Sequence, residues 1–72
     1  MPTNRRGQSD ADLCREMGWS QGQRLIGDEG YGPTTIQITA VGENRILARA
    51  IHPRPRNENT WTLSCRDWQP VQ

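Results

Sequence analysis

The sequence predicts a mainly β fold: a small Src-homology-3-like antiparallel barrel of four or five short strands, preceded by one short helix. Three observations carry that expectation. After Trp19 the apolar spacing changes from helical to period two, as in half-buried strands. Two segments rich in glycine or proline, at 27–33 and 52–59, separate the alternating stretches. The helix is too short to cover a flat sheet, so the sheet must curl onto itself, and a small bent barrel does so economically. An OB-type barrel fits less well, because it needs longer strands and an inserted helix.

The chain reads as one domain. Residues 1–8 form a polar, flexible tail and residues 9–72 the folded unit. Ser9 is a helix cap, and Asp12 stands three residues on, at capping-box spacing. Leu13 and Met17 share a face at i and i+4, and Gly18 is a stop, so the spacing predicts a helix over 10–17. Alone it would be too short to persist. It must dock through Leu13, Met17 and Cys14.

Gln23 to Ile26 reads as a first strand, and Gly27 to Pro33 as a loop. From Thr34 to Val41, Ile36, Ile38 and Ala40 face one way, and Thr35, Gln37, Thr39 and Val41 the other. Gly42-Glu43-Asn44 is a tight turn, and Arg45 to Ile51 the return strand, with Arg49 pointing to water. The two prolines of His52-Pro53-Arg54-Pro55 exclude a central strand there. Thr60 to Ser64 is a further strand, Arg66-Asp67-Trp68 a 3₁₀ turn, and Gln69-Pro70-Val71 a short edge strand.

Hydrophobic residues make up 32% of the chain and phenylalanine is absent. A chain this short buries only about 60% of its unfolded surface. A tryptophan buries about 150–250 Å², so Trp19, Trp61 and Trp68 dominate the expected core. Ile36, Ile38, Leu63 and Cys65 complete it, with Cys65 continuing the inward parity of Trp61 and Leu63. The formal charge of +1 exerts no long-range pull on nucleic acid or membrane. All nine basic residues are arginine, which a GC-rich genome explains and phosphate or carboxylate recognition would use.

No apolar run approaches the ~20 residues of a membrane span, and the N-terminal stretch lacks the apolar region of a secretory signal. The expectation is a cytoplasmic protein. Cys14 and Cys65 then read as reduced thiols, although spacing alone leaves a bond between them open. One histidine and two distant cysteines make no zinc pattern, and no cofactor is expected. Cys65 has no neighbouring base to activate it, so the expectation is not an enzyme.

Two loops stand out as partner-binding candidates. One is acidic and carries Asp28, Glu29 and Tyr31. The other is basic and carries His52, Arg54 and Arg56. Tyr31 with Trp19 or Trp61 would suit an arginine-bearing or proline-rich peptide. Arg54 and Arg56, with Arg45 and Arg49, could instead meet phosphate backbone, though no aromatic interleaves them as a stacking platform.

The stretch Trp61-Thr62-Leu63-Ser64-Cys65-Arg66-Asp67-Trp68, followed by Val71, resembles the C-terminal WTLxCRDW signature of a family of short bacteriophage and prophage proteins. The 27–32 loop and the 38–43 hairpin are similar in style, so the resemblance spans about residues 19–71. It implies a phage accessory protein acting in the cytoplasm of a bacterial host, and it implies no chemistry. The segment between Ile51 and Thr60 departs from the family in being rich in arginine and proline. The leading expectation is a non-enzymatic module that binds a bacterial host protein. The alternatives are a nucleic-acid-binding barrel and a sponge for nucleotide signals held by arginines. Self-association would cover exposed edge strands.

Overall fold

The computed structural model describes residues 8–28, 30, 32–63 and 67–71. One helix, α1 (Asp10–Met17), precedes five strands: β1 (Arg24–Asp28), β2 (Pro33–Val41), β3 (Ile46–His52), β4 (Asn59–Trp61) and β5 (Gln69–Val71). All neighbours pair antiparallel in one sheet of order β4-β3-β2-β1-β5. The sheet is open: among the described residues β4 and β5 are its edges, and no pairing joins them.

The helix begins as its sequence predicts. The Ser9 hydroxyl accepts from the Asp12 N–H at 3.1 Å. It ends in a left-handed Gly18 at φ 76°. There the Trp19 N–H donates to the Cys14 carbonyl and the Gly18 N–H to that of Arg15, which satisfies two carbonyls a helix end would otherwise leave open. Trp19 is thereby turned into the core. Ala11, Leu13 and Cys14 are buried, but Met17 is 41% exposed. The expected docking through Met17 is therefore corrected: the face one turn earlier, built on Ala11 and Cys14, makes the contact.

β2 carries a second correction. Ile38 lies opposite Ala48 and Ala40 opposite Leu47, so Thr39 is an extra residue with no partner. Such a bulge reverses the inward parity downstream of it. Val41, expected to face outward with Gln37, lies opposite Ile46 and packs against the core, and Ala40 does not continue the Ile36–Ile38 face. Ile51 is the matching extra residue on β3, between the Ile36–Ala50 and Thr35–His52 pairs.

The core joins α1 to one face of the sheet. Leu25, Ile36, Ile38, Ile46, Ala48 and Leu63 are fully buried, as is the largest side chain, Trp68. Trp61 is half-buried against them. The indole nitrogens of both rings are buried without an acceptor among the described residues. The expected core residue Cys65 lies outside the described residues, as does Arg66 of the expected 3₁₀ turn, while Asp67 and Trp68 lie outside any 3₁₀ turn. β4 is shorter than the predicted 60–64 strand: it stops at Trp61, and Leu63 reaches the core from outside it.

Candidate interaction surface

The up-and-down order of β1, β2 and β3 fixes which loops can be neighbours. Asp28 at the end of β1 lies opposite Pro33 at the start of β2, and Thr35 lies opposite His52 at the end of β3. The 28–33 and 52–58 loops therefore leave the same end of the sheet. The Arg56 N–H donates to the Ala50 carbonyl at 2.9 Å, folding the arginine–proline segment back along β3. The His52–Pro53 peptide is cis.

The opposite end is occupied by α1. The Arg15 guanidinium donates to the carbonyls of Gly42 (2.9 Å) and Glu43 (2.8 Å) in the β2–β3 turn. It also pairs with Asp12 at 2.6 Å. Asp10 accepts from the Leu63 N–H at 2.9 Å, tying the helix to the chain after β4. Neither residue stands out in the sequence as a fastening group, because each partner is a backbone group far away along the chain.

Asp28 shapes its own loop. Its Oδ1 accepts from the N–H groups of Gly30 (2.7 Å) and Gly32 (3.2 Å), both glycines having φ near +100°. Glu29 and Tyr31 lie outside the described residues. His52, Arg54 and Arg56 are all exposed. Arg24, Arg45, Arg54 and Arg56 form no ion pair among the described residues, whereas Asp10, Asp12 and Asp28 are each engaged in holding the fold.

The sequence reading did not single out the outer face of the sheet. Arg24 is in register with Gln37, and Gln37 with Arg49, so the three side chains lie side by side away from the core. An Arg49 N–H donates to Gln37 Oε1 at 3.2 Å, and Gln37 Nε2 donates to the Gly22 carbonyl. Val71 extends this row beyond Arg24. The next row is His52, Thr35, Ile26 and Gln69, with Ile26 38% exposed. Alternation along each strand shows which residues face outward; only the register between strands aligns Arg24 with Arg49.

The thiol of Cys14 has no part in this surface. It is free and buried. Burial first, and then the charge of Asp10, push its pKa up to about 11, so it stays protonated at neutral pH. Among the described residues no group of three histidine, cysteine or acidic side chains is arranged to hold a metal ion, and no helix is long and apolar enough to cross a membrane.

Residues 8–72 match the model of a family described as a domain of unknown function, DUF7241. The chain belongs to the DUF7241 family. That match covers α1 and the whole sheet, so the helix is part of the DUF7241 domain. No curated protein and no solved structure matches this DUF7241 chain.

Proposed function

We propose that this DUF7241 protein is a non-enzymatic interaction module, a phage or prophage accessory protein that binds a bacterial host protein in the cytoplasm. The single observation that carries the reading is the convergence of the 28–33 and 52–58 loops at one end of the sheet, while α1 fastens the other. A glycine-rich loop shaped by Asp28 and an arginine–proline loop whose cations form no ion pair among the described residues thus border one surface on a firm scaffold. Loops positioned by a rigid sheet are where binding residues concentrate. The phage context rests on the resemblance of residues 61–71.

The finer reading of the fold is a Src-homology-3-like barrel. It is supported by the return of β5 to the side of β1. The bulges at Thr39 and Ile51 favour it too, since bulges bend strands and increase twist.

A photo-crosslinking amino acid at Asn57 should trap a discrete heavier species in the bacterium that carries the gene. The same group at Met17, on the helix at the other end, should trap none. Equal trapping from both positions, or none from Asn57, would overturn the reading.

The lack of ion pairs at Arg54 and Arg56 among the described residues favours one second reading, contact with nucleic acid. It predicts retention on DNA or RNA that falls with salt and weakens in the Arg54→Ala plus Arg56→Ala variant. Absence of any shift at low salt would end it.

A further inference from the structure

We infer that the outer sheet face is a receptor for an extended acidic segment of a protein partner, with Arg24 and Arg49 gripping two carboxylates on either side of Gln37. The inference rests on the interaction-module reading and names the chemistry its partner must present. It starts from register: Arg24, Gln37 and Arg49 are cross-strand neighbours on three central strands, and none of them lies at an edge. Both arginines are exposed. Among the described residues Arg24 has no ion pair and Arg49 bonds only to the neutral Gln37 amide, so each guanidinium keeps donors to spare.

Among the described residues no acid forms an ion pair with this row. Asp28 lies on the same face of β1 four residues from Arg24, and its Oδ1 is committed to Gly30 and Gly32. Glu58 stands beside the start of β4, the acid nearest in register to Arg49, and forms no ion pair among the described residues.

The spacing selects the form of the ligand. Strands lie about 4.7–4.9 Å apart, so the backbones at Arg24 and Arg49 stand about 9–10 Å apart across Gln37, a span their flexible side chains can match. A polyproline II segment repeats every three residues at about 3.1 Å per residue, which sets carboxylates at i and i+3 on one side about 9.3 Å apart. The fit is to an extended segment crossing the strands with an acid at every third position.

The same face argues against a phosphodiester chain. The row is bordered by apolar Val71 and by Ile26, so it offers hydrocarbon to a peptide side chain, and among the described residues no tryptophan or tyrosine ring lies in it as a platform for a base. The net charge of +1 also gives little general attraction for a polyanion.

The test is a titration of the folded protein with acetyl-PDLPDLPDLP-amide, followed by amide chemical shifts and calorimetry at low ionic strength. The expected result is saturable binding, with shifts centred on Arg24, Gln37 and Arg49. The neutral peptide with asparagine for aspartate should bind about tenfold more weakly or worse, since the charge-assisted bonds are lost. Arg24→Gln plus Arg49→Gln should weaken the acidic peptide by a similar factor while leaving the spectrum that of a folded protein. Arg45→Gln, beside the β2–β3 turn at the helix end, should change nothing. Failure of the acidic peptide to bind, equal binding by the double variant, or tighter binding of a decathymidine oligonucleotide would each overturn the inference. Crosslinking from Asn57 separates the two proposals. If it persists undiminished in the double variant, the module stands and the arginine row falls. If it is absent from the unaltered protein, the module reading fails whatever the peptide does.

Discussion

A methyl group on Gly27 would lie 2.7 Å from Cε3 of Trp68, closer than any carbon contact allows. The indole is fully buried and cannot swing aside, so Gly27→Ala should destabilise the protein by about 1–3 kcal/mol, the usual cost of overpacking. Gly18 offers the contrast. Nothing lies within 4 Å of its imagined Cβ, but its φ is 76°. Gly18→Ala should cost only about 1 kcal/mol, from backbone strain alone. Combining Gly27→Ala with Trp68→Leu in thermal denaturation should show a less than additive loss, because the clash disappears with the ring. Cys14 makes a prediction in pH. Its thiol ionises near 9 in the unfolded chain and near 11 when folded, so the unfolded state releases its proton first as pH rises. The stability it provides is complete below pH 9 and drains away towards pH 11, by roughly 2–3 kcal/mol. Urea titrations across that window should show a steeper decline for the native chain than for Cys14→Ala.

At the scale of elements, α1 holds its place through backbone partners as well as packing. A helix of eight residues has almost no stability of its own. Asp10→Ala should cost about 1–2 kcal/mol by stranding the Leu63 N–H, while Asp10→Asn, which keeps an acceptor, should cost less. Asp12 adds an acid-side effect. Its hydrogen bond to Arg15, and secondarily that to Ser9, hold its carboxyl below the ordinary 3.8. The stability it lends is therefore present above that value and lost as pH falls through the depressed folded one. Helix bounds were legible in the sequence because Ser9, Asp12 and Gly18 act on their immediate neighbours. The Thr39 bulge was not: alternation of Ile36, Ile38 and Ala40 looks unbroken, and only pairing with β3 reveals the extra residue. Met17 misled for a related reason, since i, i+4 spacing identifies a stripe without saying which edge of it meets the sheet.

For the molecule as a whole, the convergence of the two loops follows from the order of strands, which the turn residues at 42–44 and the loop compositions made readable. The arginine row was hidden, because Arg24 and Arg49 are far apart in the chain and meet through a register no local pattern encodes. Since Arg54 and Arg56 are exposed, replacing both with alanine should leave stability within about 0.5 kcal/mol, measurable as an unchanged melting curve, whatever it does to binding. The edges of the sheet carry one more consequence. β5 is three residues long with Pro70 at its centre, and β4 is equally short, with the Arg56 backbone already folded against the neighbouring β3. Proline offers no N–H to an arriving strand, and three residues make a poor template for fibre growth. Concentrated solutions should therefore stay clear and fail to seed amyloid, with light scattering flat over days; Pro70→Val, which restores a donor at that margin, is the change most apt to let copies of the chain stack.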